Sequence, residues 1–273
     1  MDDSSGRDFS HRRAWIEDRL QSLAEIFTID LCAYAVMSNH YHVVLRIDTN
    51  SQQALTDNDV VDRWSRLHRI PENFERSDEQ RRQTLVAVWR ERLGSISWFM
   101  KSLNEPLARL ANKEDGCSGR FWEGRFRSQA LLDEDAVLKC MAYVDLNPIR
   151  AKVADTPESS MYTSVKARID GQPRSLAPFS NSPTTQRFAL PITEGNYFEL
   201  VDRSGRIVRQ GKRSVIERDL PPILYRLAGG ETCSWLDAYR HISRRYLRAI
   251  GNAASLERYR DYLGQKRLNG LRT

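Results

Sequence analysis

The stretch IDLCAYAVMSNHYHVVLRI, residues 29–47, constrains the fold more than any other part of the chain. Residues 29–37 are small and β-compatible, Ser38-Asn39 suits a tight turn, and residues 40–47 alternate in character. This pattern predicts an antiparallel hairpin. Successive strand side chains point to opposite faces, so His40, His42, Val44 and Arg46 share one face. Tyr41, Val43, Leu45 and Ile47 share the other and make a consistent core face. Both imidazoles are then expected to point away from that core, side by side. Two residues apart on one strand, their ring nitrogens can reach a single metal ion, and neutral imidazole is a good ligand. A polar solvent face that carries two histidines would give the same pattern. A zinc hydrolase would want a third histidine or cysteine nearby, and none is evident in the sequence.

Around the hairpin the periodicity is mostly helical. Trp15, Ile16, Leu20, Leu23 and Phe27 recur at helical spacing over residues 10–27. Helices are predicted over 59–70 and 78–113, with a polar loop at 71–77, and WFMKSLNEPLARLAN (98–112) reads as a core-packing helix. Residues 120–132 alternate well enough to predict a strand. Asp133-Glu134-Asp135 makes an acidic helix start that suits the positive end of the dipole, and Pro148 marks where that helix ends or distorts. Three prolines with Gly and Ser make 171–190 a predicted linker. A short β segment is expected over 190–208, and mainly helix over 220–268. This order predicts an α+β fold with helices on one face of an antiparallel sheet. It divides the chain into a main domain at 1–170, the linker, and a mainly helical module at 191–273.

Charge supports the same division. Residues 1–200 hold 26 Lys/Arg against 29 Asp/Glu, whereas 201–273 hold 16 against 7. A basic tail on a near-neutral domain usually meets nucleic acid, although a solvated basic surface has the same composition. Tyr239-Arg240-His241 and Arg244-Arg245-Tyr246, followed by Gly251-Asn252, faintly suggest a helix-turn-helix, with a plain basic helical module as the simpler reading. Cys32, Cys117, Cys140 and Cys233 are scattered without a CxxC pair, which argues against a zinc ribbon or a disulfide framework. No apolar run approaches the roughly 20 residues of a membrane helix, and MDDSSGRDFSHRR is unlike a secretion signal. A cytoplasmic setting is expected.

Three motifs, MSNHYHVVL, GRFWEGRFRSQALL and AYVDLNPIRAKV, resemble those of the REP-associated tyrosine transposases, within the single-tyrosine transposases that carry a His-hydrophobic-His motif. The resemblance covers roughly residues 10–168. It implies a ferredoxin-like sheet with the histidine pair on a central strand and the tyrosine on a helix beside it. It also implies magnesium or manganese, single-stranded or hairpin DNA as substrate, His40 and His42 as metal ligands, and Tyr143 as nucleophile. Asn147 falls where the family often places a third, amide-type ligand. The family normally begins with a strand of the type YHVxxRG before the first helix, and this chain has no equivalent there. A truncated copy, or a start placed too late, is the expectation, with backbone groups and core surface exposed where that strand would lie.

The tyrosine helix gives partial independent support. Val137, Met141 and Val144 form its apolar stripe, while Ala136, Lys139, Tyr143 and Asn147 share another face. Lys139 is placed to favour the phenolate or to touch DNA, with a solvated lysine as the plainer alternative. Arg120, Arg125 and Arg127 interleave with Phe121, Trp122 and Phe126, cations for phosphates and rings for unpaired bases. Arg125 and Arg127 are expected on one strand face, as DNA contacts with Arg120 and Trp122; some of the aromatic rings could equally be core. The implied activity is single-strand cleavage through a 5′-phosphotyrosine. Two alternatives stand beside it: a catalytically silent descendant that binds hairpin or single-stranded nucleic acid, and a metallohydrolase using the histidines and water.

Overall fold

A computed structural model of the protein describes residues 8–180, 188–207, 249–265, 267–268 and 270–272. The predicted hairpin is its centre. Strand β1 (Ile29–Val36) pairs antiparallel with β2 (Tyr41–Ile47), with Ala35 opposite His42, and the Met37 N–H donates to the His40 carbonyl at 2.8 Å to close the turn. A bulge between Leu31 and Ala33 changes the parity of β1. Ile29 and Leu31 face one side before it, and Tyr34 and Val36 face that same side after it. Cys32, Ala33 and Ala35 face the other side.

Both sides are covered, which corrects the expectation of helices on one face. On one side lie α1 (His11–Ile26) and α5 (Ile96–Asp115), backed by α3 (Asp57–Ser65) and α4 (Glu79–Leu93); a short α2 (Thr49–Ala54) precedes them. Leu20, Leu23, Phe27, Trp64, Phe99 and Leu103 fill that layer. On the other side lie α6 (Glu134–Asp145) and α9 (Glu194–Ile207), whose Met141, Val144, Tyr197, Leu200 and Val201 pack with Val44 of β2. With both faces apolar, β1 is buried at every residue except Asp30. The architecture is α+β, mostly helical, around a small antiparallel sheet.

Several predicted elements differ. The single helix over 78–113 is two helices, parted at Gly94-Ser95, where the Gln52 side chain lies so close that a Cβ on Gly94 would meet its Nε2 at 2.4 Å. The strand over 120–132 shrinks to β3 (Ala130–Leu131). Alternating Arg and aromatic residues had imitated a strand, but Gly116 and Gly119 take positive φ (63° and 128°) and lead the chain into an irregular path. The β segment expected over 190–208 is helix α9: Tyr197, Leu200, Val201 and Ser204 are buried at helical spacing. β3 belongs to a second, parallel sheet in the order β3, β4 (Ala249–Gly251), β5 (Gly270–Arg272), with α10 (Ala253–Tyr262) between the last two. The helix predicted over 220–268 is therefore helical at α10; residues 208–248, with the basic cluster at 239–246, lie outside the described residues.

The edge of β1 away from β2 is occupied, whereas His42 to Ile47 of β2, whose other edge pairs with no strand among the described residues, line an open cavity. Val36 N–H donates to the Tyr162 carbonyl (2.9 Å), and Tyr34 N–H to Ser164 Oγ (3.0 Å). The Cys32 carbonyl accepts from Arg168 Nη2 (3.1 Å), and the Leu31 carbonyl from Ala177 N–H (2.9 Å). Buried backbone groups need such partners, and here an irregular chain supplies them through α8 (Ser164–Ile169) and the residues around it. Leu176, Ala177 and Phe179, placed in the expected linker, are consequently buried against the hairpin.

Candidate active site at the histidine pair

His40 closes the turn and His42 is the second residue of β2, and their ring centres lie 5.0 Å apart at 82°. His40 is exposed, and its Nδ1 meets Asn39 Oδ1 at 2.7 Å. A carbonyl oxygen only accepts, so Nδ1 is the donor in this contact and Nε2 is the nitrogen not used in it. His42 is half-buried. Burial, with His40 and the Arg150 guanidinium adding to it, pushes its pKa down to about 4. It is therefore neutral at physiological pH, the form that ligates a metal. These two residues fit a shared divalent ion. Among the described residues no group of three or more His, Cys, Asp or Glu side chains gathers to hold one, so further ligands would be the Asn147 amide, water or phosphate.

Tyr143 reaches this pair because α6 crosses both strands. Asp133 caps the helix, accepting from Ala136 N–H at 2.8 Å, with Glu134 and Asp135 in the first turn as the acidic start predicted. Its last turns carry Tyr143 to within 6.1 Å of His42, ring centre to ring centre, at 81°. The helix stops at Asp145, and the short turn α7 (Asn147–Arg150) folds around Pro148. Seven residues after Tyr143, and so on the same side of the helical path, Arg150 sets its guanidinium 4.0 Å from the centre of the Tyr143 ring, with its nitrogens shielded from solvent. Arg150 was not singled out from the sequence, although it lies within the same motif; only the fold of α7 reveals its place.

The remaining expected site residues divide. Arg127 lines a cavity of about 590 Å³ together with His42, Tyr143, Arg46 and Phe126. Arg120 and Trp122 line a second cavity on the His40 side, described below. Arg125 is exposed and lines neither, and with no strand at 120–127 it shares no strand face with Arg127. Trp122 is built into a wall, its Nε1 donating to the Asn104 carbonyl at 2.9 Å and its ring edge-on to Tyr41. Asn147 turns its Nδ2 back to the carbonyls of Tyr143 and Val144, both at 3.1 Å, which leaves Oδ1 as its outward group. Lys139 is neither solvated nor on a DNA-facing surface. It is 2% exposed and its ammonium meets Asp135 Oδ2 at 2.5 Å. The helix face read as polar is covered because α6 packs on α9 and β4 as well as on the hairpin.

Beneath the site, Asp145 is fully buried. It accepts from Tyr197 OH (2.5 Å), Ser164 Oγ (2.6 Å) and Val165 N–H (3.0 Å). Burial nonetheless raises its carboxyl to about 6 against the pull of these bonds and of Arg168. Through this residue α6 is tied to α8 and α9, which fixes the helix that presents Tyr143.

No protein-family model, curated protein or solved structure matches the chain. No described helix is long and apolar enough to cross a membrane.

Proposed function

We propose that the protein is a metal-dependent single-stranded DNA endonuclease and strand transferase of the REP-associated tyrosine transposase type, acting on single-stranded or hairpin DNA. One observation carries this reading: Tyr143, remote in sequence from the histidines, stands 6.1 Å from His42 with Arg150 against its ring. A water-using hydrolase has no need of a tyrosine there.

His40 and His42, with Asn147 Oδ1, would hold magnesium or manganese. Such an ion, when bound, polarises the scissile phosphate and neutralises charge developing on its oxygens. An ordinary phenol is protonated at neutral pH, so attack requires positive charge near the forming phenolate. Arg150 supplies it. Tyr143 Oη forms a bond to phosphorus as the bond to the 3′ oxygen breaks; the electron pair goes to that oxygen, which takes up a proton, and the phenolic proton passes to solvent. One phosphoester replaces another, so a 3′-hydroxyl can reverse the step and join strands without an outside energy source. The asparagine on Nδ1 of His40 would leave Nε2 as its ligand atom, and burial keeps His42 neutral.

The test is to incubate the full chain with labelled, hairpin-flanked single-stranded DNA and manganese and to resolve the products under denaturing conditions. A covalent protein–DNA band, lost on chelation, is expected. Binding without any band would mean that the chain only holds nucleic acid, and free cleaved DNA without a band would mean hydrolysis. Arg150→Ala is expected to slow appearance of the band roughly 100-fold, the scale seen when one charge-stabilising donor is removed from an active site. An unchanged rate in quenched time courses would remove Arg150 from the chemistry.

A further inference from the structure

A second opening takes in His40 but neither His42 nor Tyr143. It is a cleft of about 920 Å³ between the start of α1 and residues 120–123, with His40 in its wall. That is near the upper end for a small-ligand cavity, room for a nucleotide with its phosphate. Its aromatic wall is fixed in place. Asn104 accepts from the Tyr41 hydroxyl through its side chain (2.6 Å) and from Trp122 Nε1 through its carbonyl (2.9 Å). Phe121 stands edge-on to Trp122 with ring centres 4.9 Å apart, and is 38% exposed. A large ring held open to solvent by its neighbours gives a base a face to stack on without prior ordering.

The charges at the cleft are distributed unevenly. Arg12 is bound to Glu114 and Asp115, whereas Arg13 and Arg120, one on each wall, form no ion pair among the described residues, Arg13 acting on Asp8 only at longer range. Arg13 rests on the Tyr162 ring at 4.7 Å. Of the two carboxylates at the rim, Asp8 is occupied by the N–H and hydroxyl of Ser10, and Glu123 is exposed. Two guanidiniums and an open aromatic face fit a phosphate and an unpaired base.

In-line displacement places the attacking and leaving oxygens on opposite sides of phosphorus. Tyr143 and His42 line the cavity and His40 lines the cleft, and the two openings share no lining residue. We propose that the cleft between α1 and residues 120–123 seats the unpaired nucleotides 5′ of the cut, the strand that departs with the 3′-hydroxyl. The downstream strand, held on Tyr143, then lies in the cavity beside Arg127. The strand polarity rests on Tyr143 being the nucleophile; the binding of unpaired DNA in the cleft does not.

The two parts are tested separately. For binding, the full chain carrying Tyr143→Phe is irradiated with oligothymidylate containing 5-iodouracil, and the crosslinked peptides are mapped. Crosslinks at residues 120–123 are expected, with none when the oligothymidylate is paired to oligoadenylate. Arg120→Ala with Phe121→Ala is expected to weaken oligothymidylate binding about tenfold, the effect of losing one stacked base. Both side chains are exposed, and Arg13→Ala on the facing wall gives an independent variant with the same expected direction. Crosslinks confined to residues 126–129, or unchanged affinity in all variants, would overturn the cleft as a DNA site. For polarity, an abasic position immediately 5′ of the mapped cut should slow adduct formation about tenfold in the wild type. It should have no further effect in Phe121→Ala, whereas an abasic position on the 3′ side should slow both proteins equally. The reverse pattern overturns the polarity. Crosslinks as expected with no strand ever cut would leave the cleft standing and reject both the polarity and the role of Tyr143.

Discussion

Tyr143→Phe is expected to give no covalent protein–DNA product at all. The substitution deletes only the oxygen proposed to attack phosphorus, and the ring that stays keeps its place beside His42 and against Arg150. The variant should therefore unfold at nearly the wild-type temperature and bind single-stranded DNA as tightly, since losing one hydroxyl costs no more than about 1–2 kcal/mol. The denaturing gel reads the first outcome, and thermal unfolding with fluorescence anisotropy reads the others. Cleavage that persists in this variant would place water, not the phenol, at the phosphorus, and the protein would be a metallohydrolase built on His40 and His42.

Asp145→Ala should be among the most destabilising single changes in the chain. It would leave the Tyr197 hydroxyl, the Ser164 hydroxyl and the Val165 N–H without their acceptor in a region closed to water. Arg168, buried nearby, would lose the negative charge that offsets its own. Removing one member of such a buried set costs about 3–5 kcal/mol. Urea denaturation followed by circular dichroism measures this directly. Asp145→Asn keeps one acceptor and the volume, so a smaller loss is expected. A loss below about 1 kcal/mol in Asp145→Ala would show that the site relaxes or admits water, and that α6 is held by apolar packing alone.

The hairpin was legible because its signals are local: an alternation in 40–47 interrupted only at Val44, a turn at Ser38-Asn39, and an apolar run before it. The start of α6 was legible for the same reason, since a capping aspartate and an acidic first turn lie within four residues. What the sequence could not show depends on distant contacts. The bulge at Leu31–Ala33 has no marker residue, yet it decides which side Tyr34 and Cys32 face. Lys139 looked solvent-facing because a helical wheel carries no information on what covers the second face. Residues 120–127 alternate like a strand but have no strand to pair with, so their backbone follows the glycines instead. The histidine pair was placed by strand geometry and Tyr143 by motif resemblance, while Arg150, seven residues on, shares the helix face of Tyr143 but became visible as a neighbour of its ring only in the fold. The cover over β1 is the extreme case, with Ser164 130 residues from Tyr34 and Arg168 136 residues from Cys32.

That separation has a consequence in time. A ribosome adding roughly 5–20 residues per second delivers the residues that seal β1 only about 6–30 seconds after the hairpin itself has left the exit tunnel. Throughout that interval the outer edge of β1 is a bare template for any other extended chain, a known route to aggregation. Once α8 docks, the sealing groups include a hydroxyl and a guanidinium, which offer no continuing ladder to a further strand. The mature protein is thus closed to strand addition at an edge where the nascent one is open, and a polypeptide that stops short of residue 164 would retain the hazard permanently.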